Sequence, residues 1–296
     1  MSAPPAPLPH PFRLAPVPGK GNGLLATRDI QPGEVILVEK PLFQAGAIRS
    51  EASIAQLVKG LSAAEQEFFQ SLSVGGRVGN PHLSRFDNNA LPCGPGARTA
   101  SILFFGSRFN HSCRPNVSQA WDEANGVERF IANEHIHPGV ELTTYYVEIL
   151  QSKAERQALL RREIGFDCHC VVCSLPADAL KISDTRRTTF QLLRDQIPSL
   201  ITSPHQLIKL AKQALKCLDD EGLVAYRASI AYDAFQGCIA WGDVENAKKW
   251  AQRGLEYNRI EVGEDGTEYK RIKALLEQPK SHYAFGALGR KTVEGP

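Results

Sequence analysis

The sequence lacks any strong surplus of charge, and it has no long apolar run. Thirty-four lysines and arginines against 32 aspartates and glutamates leave a formal net charge of +2 over 296 residues. This balance excludes the broad basic surface that sequence-independent binding to nucleic acids or acidic membranes requires. No stretch approaches the roughly 18 apolar residues of a membrane-spanning helix. We expect no direct nucleic-acid binding and no membrane partner, and we expect a monomer.

The first residues also lack the basic and apolar regions of a secretory signal peptide. We therefore expect the chain in the cytoplasm or the nucleus, where thiols stay reduced. Hydrophobic residues make up 43% of the chain, a globular proportion that excludes wholesale disorder and a fibrous architecture. The length allows one large domain or two modest ones.

The first half of the chain is predicted to be rich in β-strands. Residues 1–17 contain many of the prolines, which favours an extended tail. From Leu24 to Phe43, two β-favouring runs flank the turn Gln31-Pro32-Gly33-Glu34, which predicts an antiparallel hairpin. A helical pattern with a capping box at Ser62 follows within an insert at about residues 46–100. Strands return between Val117 and Tyr146, with a hairpin signal at Asn125-Gly126.

The second half of the chain is predicted to be helical. Ser152 and Glu155 form another capping box, which opens a helix to about Arg162. Beyond Pro176, apolar residues recur at helical spacing in the segments 183–196, 204–220, 223–241, 243–259 and 267–277. Tight turns between these segments favour antiparallel, tetratricopeptide-like stacking, and a plain helical bundle is the alternative. The fold class is therefore α+β, with an α-helical C-terminal domain.

Three of the seven cysteines, Cys168, Cys170 and Cys173, fall within six positions. Three thiolates on one turn need one further ligand for a tetrahedral zinc site. His169 lies inside the cluster, but alternation along the chain turns it away from a metal held by its neighbours. Cys113 is the better fourth ligand. The isolated histidines, His135 and His137 among them, show no ligand spacing and are expected at turns or solvated positions.

Two further segments carry weaker signals when each is taken alone. Lys20-Gly21-Asn22-Gly23-Leu24 is either a simple turn or a backbone cradle for a ligand, and it lacks the lysine and hydroxyl ending of a phosphate-binding loop. Tyr145 and Tyr146 end a predicted strand, where aromatic residues are common. No order of residues typical of hydrolases is found, and no paired carboxylates bracket a cleft.

Taken together and in this order, four motifs resemble those of SET-domain protein lysine methyltransferases. They are Lys20–Leu24 (KGNGL), Arg108–Asn116 (RFNHSCRPN), Glu141–Tyr146 (ELTTYY) and Phe166–Cys173 (FDCHCVVC). Within the family, the sequence is most similar to the SET and MYND domain branch, which also has a helical insert and a helical tail. Cys93 is the one cysteine between Phe43 and Ala100, too few ligands for the two zincs of a MYND finger.

The resemblance implies a division of the chain into three parts. Residues 1–17 form the proline-rich tail, and residues 18–176 form a β-rich SET domain with a Cys-rich post-SET zinc motif at 165–176. Residues 177–296 form the helical C-terminal domain. It also implies an enzyme that transfers a methyl group from S-adenosylmethionine to a lysine of a protein or peptide substrate, histone or not.

The resemblance further implies roles for individual residues. Tyr146 is the expected catalytic tyrosine, and Tyr145 is a second candidate for the catalytic channel. Cys113, Cys168, Cys170 and Cys173 are the expected ligands of one structural zinc ion. The residues expected to bind the cofactor are Lys20, Gly21, Asn22, Asn89, Asn110, His111, Tyr146 and Phe166.

One departure from the family pattern affects the channel. Ile164 stands two residues before Phe166, where this branch usually has a second channel tyrosine, and Tyr145 occupies a position that is usually small. Either Tyr145 lines the channel from the other side or the channel is altered. The competing hypotheses are a catalytically silent SET fold that binds a peptide or partner, and a purely structural zinc-and-helix scaffold.

Overall fold

The computed structural model describes residues 10–75 and 79–296 and is of mixed α+β type. Its first half contains three small sheets, and its second half is helical. The residues 1–9 of the predicted tail lie outside the described part. Within the described part, no helix combines the length and apolar character needed to cross a bilayer.

The sheet that carries the candidate site brings together strands from distant parts of the chain. Its order is β1-β2-β10-β7, and β10 runs antiparallel to β2 but parallel to β7. The parallel contact joins two short strands, so that the segment after β10 and the segment after β7 leave the sheet side by side. The strands are β1 (Phe12–Val17), β2 (Gly21–Ala26), β7 (Asn110–His111) and β10 (Glu141–Thr144).

The two other sheets have three strands each. The first has the order β3-β9-β8, and Asn125-Gly126 forms the predicted hairpin turn between β8 and β9. The second has the order β4-β6-β5 and supports the helical insert. Their strands are β3 (Val35–Glu39), β4 (Phe43–Gly46), β5 (Leu91–Pro92), β6 (Thr99–Ile102), β8 (Val117–Asp122) and β9 (Val127–Ala132).

Two predictions for the N-terminal segment are wrong. The tail does not extend to residue 17, because Phe12–Val17 pairs along its whole length with β2. The predicted hairpin is not formed either, although the turn Gln31–Glu34 exists, with the Glu34 amide donating to the Gln31 carbonyl. Strand β2 pairs with β1 and β10, whereas β3 pairs with β9. A turn limits the local path of the chain, but it does not choose the strand partners.

The insert contains the helices α1 (Glu51–Lys59), α2 (Ala63–Gln70) and α3 (Pro81–Asn89). The capping box predicted at Ser62 is present, with the Ser62 hydroxyl accepting from the Glu65 amide and the Glu65 side chain returning to the Ser62 amide. Phe69 and Phe86 are fully buried between the helices and the small sheet. The insert thus has an apolar core of its own.

The helical half begins with α4 (Lys153–Glu163), which starts at the predicted capping box of Ser152. Trp250 and Phe235 are buried in the apolar core of the helices that follow α4. Whether the helices form a tetratricopeptide-like stack stays a prediction. The further helices are α5 (Ala177–Gln196), α6 (Pro204–Glu221), α7 (Arg227–Ala240), α8 (Val244–Glu261) and α9 (Thr267–Glu277).

Candidate functional site

A cleft of about 500 Å³ opens beside the four-stranded sheet. Its walls come from the turn before β2, from the insert, from the segment leading into β7, and from the segment that follows α4. The volume lies within the range of pockets that hold cofactors and drug-sized ligands. Polar residues such as Asn110 and apolar ones such as Phe166 both line it, which suits a ligand with polar and apolar parts.

A carboxylate from β10 holds the glycine-rich turn against β7. Glu141 Oε2 lies 2.6 Å from Lys20 Nζ, and Glu141 Oε1 accepts a hydrogen bond of 2.8 Å from Asn110 Nδ2. Asn110 Nδ2 also lies 3.3 Å from the Asn22 carbonyl. Gly21 has a left-handed φ of +74°, which few other residues adopt without strain. Glu141 thus neutralises the ammonium of Lys20, and Lys20, Gly21 and Asn22 all line the cleft.

His111 and Tyr146 meet at the floor of the cleft. The Tyr146 amide donates to His111 Nδ1 over 3.0 Å, and the Tyr146 hydroxyl donates to the Phe109 carbonyl over 2.6 Å. Burial lowers the pKa of His111 to about 4, so that its ring is neutral at physiological pH. Burial, with a smaller effect of Glu141, raises the pKa of Tyr146, so that its hydroxyl stays protonated. These contacts fix the phenol at one place.

The lining of the cleft includes two buried polar atoms without a partner, one from the insert and one from the segment that leads into β7. Among the described residues, Asn88 Oδ1 and Arg108 Nε form no hydrogen bond. They offer one acceptor and one donor at the lining of the cleft. Asn89 also lines the cleft, but its amide donates to the carbonyls of Ser73 and Arg85 and so braces the insert.

A second cleft of about 250 Å³ adjoins the first. Tyr146 and Ile164 line both clefts, whereas Tyr145 lines the second one alone. Tyr145 also packs against the core of the helical half. Burial is the main cause that raises the pKa of Tyr145. A molecule in the second cleft would therefore meet a molecule in the first cleft beside Tyr146 and Ile164.

Behind the first cleft, four cysteines form a compact buried group. The sulfurs of Cys113, Cys168, Cys170 and Cys173 all lie within 4.8 Å of one another, and Cys113 Sγ is 3.6 Å from Cys173 Sγ. All four are free thiols rather than disulfides. Four soft ligands at tetrahedral reach suit a zinc ion. His169 is exposed, as its position in the motif predicts, and Cys113 supplies the fourth sulfur of the group.

Two buried arginines lie next to this group, and Arg156 compensates part of its charge. Four thiolates around a divalent cation carry two net negative charges, which are unfavourable in an apolar interior. The side chains of Arg156 and Arg187 are both fully buried, and Arg156 interacts with the sulfurs of Cys113 and Cys173. Arg187 Nη1 donates to the Cys113 carbonyl over 3.0 Å. The surroundings therefore fit a tetrathiolate metal centre.

The structure brings together the cofactor residues predicted from the sequence. All eight line the first cleft, from Lys20 in the turn to Phe166 after α4. Sequence reasoning missed Asn88, Arg108 and the bridging role of Glu141. Glu141 stands in a quoted motif, but its contact with Lys20 joins residues 121 positions apart, so no local signal marks it.

The sequence of the chain is similar to those of known SET-domain proteins. The family model of the SET domain matches residues 21–147. The chain is 31% identical over 278 residues to "Histone-lysine N-methyltransferase set5" of Schizosaccharomyces pombe, a match that covers 92% of this chain and 85% of the relative. It is 25% identical over 166 residues to "N-lysine methyltransferase SMYD2" of Bos taurus, which covers 50% of this chain and 38% of the relative. A similar match to "Histone-lysine N-methyltransferase SMYD3" of Mus musculus covers 52% of this chain and 37% of the relative. The chain therefore belongs to the SET-domain family of methyltransferases.

Proposed function

We propose that this enzyme transfers a methyl group from S-adenosylmethionine to the side-chain amine of a lysine in a protein or peptide. The observation that carries the proposal is the meeting of the two clefts at Tyr146. Methyl transfer is an in-line displacement that needs the donor and the amine to approach from opposite sides. The larger cleft suits the cofactor, and the smaller one suits a lysine side chain.

The residues that line the larger cleft have the chemistry to hold S-adenosylmethionine. The backbone of Lys20, Gly21 and Asn22 takes the methionine end, where Gly21 allows close approach. Asn88 Oδ1 and Arg108 Nε, both unpartnered and buried, match the amino and carboxylate groups of that end. Asn110, His111 and Phe166 contact the adenosine part, where Phe166 supplies an aromatic face, and Asn89 is a further cofactor-binding asparagine.

Tyr146 orients the amine in this proposal. When bound, the cofactor supplies an electrophilic methyl group on a sulfonium. The Tyr146 proton is directed to the Phe109 carbonyl, so the lone pairs of its oxygen are free to accept an N–H of the substrate. A narrow channel desolvates the substrate ammonium and lowers its pKa, which favours the neutral, nucleophilic amine. Tyr145 and Ile164 form the walls beside it.

In the same proposal, Cys113, Cys168, Cys170 and Cys173 hold one structural zinc ion. Four protein ligands leave no open coordination position, so the ion supplies rigidity rather than catalysis. We further propose a SET domain that begins with β1 (Phe12–Val17) and ends at residue 176, and a tetratricopeptide-like helical domain at 177–296. We also propose that the enzyme acts as a monomer in the cytoplasm or the nucleus, without direct nucleic-acid binding.

The proposal is tested by measuring cofactor binding and methyl transfer separately. Calorimetry with S-adenosylmethionine should give one binding event per chain, and its absence would refute the cofactor site. Transfer to a lysine-peptide library should fall by about a hundredfold or more in Tyr146→Phe, while cofactor binding stays near that of the wild type. Tyr145→Phe is the matched control, with an expected change below about tenfold. Cofactor binding without any transfer would favour a catalytically silent, peptide-binding SET fold instead.

A further inference from the structure

Away from both clefts, two histidines and an aspartate meet at the surface. Asp29 Oδ1 lies 3.0 Å from His137 Nδ1 and 3.2 Å from His135 Nε2. The two imidazole rings are 4.4 Å apart between centroids and nearly perpendicular. All three residues are exposed, and their ligand atoms lie within 4.8 Å of one another. The prediction that these histidines lie at solvated positions is confirmed, whereas their convergence on Asp29 has no signal in the local sequence.

The backbone explains why these side chains converge. Ile30 and Ile136 form an antiparallel bridge, with hydrogen bonds of 2.9 and 3.0 Å in the two directions, and both are buried. Side chains alternate between faces in extended chain, so the residues that flank a buried isoleucine face outward. Asp29 therefore lies opposite His137, and His135 lies two positions along on the same face. The three residues are held by a fixed element rather than by a chance contact of long side chains.

We infer that Asp29, His135 and His137 form a binding site for a divalent transition-metal ion. Ligand atoms at about 2.0–2.2 Å from such an ion stand roughly 2.9–3.5 Å apart, which agrees with the 3.0 and 3.2 Å found here. Imidazole nitrogen with one carboxylate suits Zn²⁺, Ni²⁺ or Cu²⁺ rather than a hard cation. Three protein ligands leave coordination positions open to water or to a group from another molecule.

In the described part of the chain, no lysine or arginine side chain forms an ion pair with the Asp29 carboxylate. The neighbouring Arg28 directs its guanidinium to Glu34 over 2.6 Å and touches Asp29 through the backbone carbonyl alone. The ion-pair partners of the Asp29 side chain are the two rings. Two N–H groups donating to one carboxylate oxygen explain the same distances without a metal, and the experiment must separate these two cases.

The experiment uses the full chain and Ni²⁺ as the probe. The protein is loaded with Zn²⁺ and then dialysed against a weak chelator until about one zinc per chain remains, so that the cysteines hold metal and the surface cluster is free. Calorimetry and metal analysis should show one Ni²⁺ per chain in addition to the zinc. His137→Ala, His135→Ala and Asp29→Asn should each weaken Ni²⁺ binding by about tenfold or more. His205→Ala, which removes an exposed histidine on α6, is the matched control and should bind as the wild type. Mg²⁺ should give no heat, because it prefers oxygen ligands.

Two results would overturn the inference. One is a wild type that takes up no Ni²⁺ beyond the zinc, which would leave a hydrogen-bonded aspartate–histidine cluster. The other is equal Ni²⁺ binding by the wild type and His137→Ala. Asp29→Asn keeps the size of the side chain, so its thermal unfolding without Ni²⁺ reports whether the fold is intact.

Discussion

Gly23 lies where three segments of the cleft approach one another. A methyl group on its Cα would stand 2.6 Å from Asn110 Nδ2, 2.9 Å from Val17 Cγ2 and 3.0 Å from Glu141 Oε1. Its φ is outside the left-handed region, so the backbone accepts any residue there. We therefore expect Gly23→Ala to act through crowding alone.

The magnitude follows from the contacts that must change. The methyl group displaces the amide of Asn110 from its 2.8 Å hydrogen bond to Glu141. A hydrogen bond to a charged group contributes about 1.5–3 kcal/mol, and overpacking costs about 1–3 kcal/mol. The crowded atoms lie at the ends of side chains that can rotate away, so the two costs do not add in full. We therefore expect a loss of about 2–3 kcal/mol in the free energy of unfolding. Displacement of Asn110 should also weaken binding of S-adenosylmethionine by about tenfold, or about 1.4 kcal/mol.

Two other glycines serve as controls in urea unfolding. A methyl group on the Cα of Gly46, in β4, would have no atom within 4 Å, and the φ of Gly46 is not left-handed. Gly46→Ala should therefore leave stability unchanged or raise it by up to about 1 kcal/mol. Gly21 also has open space but a φ of +74°, so Gly21→Ala should cost about 1–2 kcal/mol through the backbone alone. Equal unfolding free energies for Gly23→Ala and Gly46→Ala would refute the crowding argument.

Three further predictions concern buried charge and the cysteine group. Glu221→Gln should destabilise the protein by about 3–5 kcal/mol in urea unfolding, because it leaves Arg187, 2.8 Å from the carboxylate, buried without its counter-charge; a loss below about 1 kcal/mol would contradict this. Burial raises the pKa of Glu128 to about 8, whereas the ordinary pKa of a glutamate, kept in the unfolded chain, is 4.5. Between these pH values the folded state keeps a proton that the unfolded state has lost, so the free energy of unfolding falls as the pH rises. The stability of Glu128→Gln relative to the wild type should therefore rise by roughly 1–3 kcal/mol from about pH 5 to pH 8, and a difference that does not vary with pH would disprove the assignment. Metal analysis should find about one zinc per chain in His169→Ala but less than half of that in Cys113→Ala, and the reverse result would make His169 the fourth ligand.

Local signals predicted local structure well. The capping boxes at Ser62 and Ser152 mark the starts of α2 and α4, because a cap depends on residues within one turn. The Asn125-Gly126 turn joins β8 and β9, because a tight turn sets the register of a hairpin. The sequence pattern is thus sufficient to predict structure that depends on residues close together in the chain.

Long-range contacts account for what the sequence did not predict. The pairing of β10 with β2 depends on packing between segments more than a hundred residues apart. The local pattern does not contain this information, so it predicts a β2–β3 hairpin that the structure does not have. The bridging position of Glu141 and the meeting of His135 with Asp29 have the same origin. Cys113 is an exception among the long-range contacts. Its own motif marks it as a candidate ligand, so its meeting with the other three cysteines is predicted although it lies far from them in the chain.

The cysteine group and the cleft are joined by short, rigid links. Cys113 follows His111 by two residues, and its sulfur lies 3.4 Å from His111 Nε2. Since His111 Nδ1 accepts the amide of Tyr146, the other nitrogen of the neutral ring carries the proton and faces the sulfur. Phe166 likewise precedes Cys168 by two residues. The four cysteines therefore also fix the histidine and the phenylalanine that line the cleft, and through the histidine the amide of the tyrosine. A group that lies outside the cleft thus positions the residues inside it.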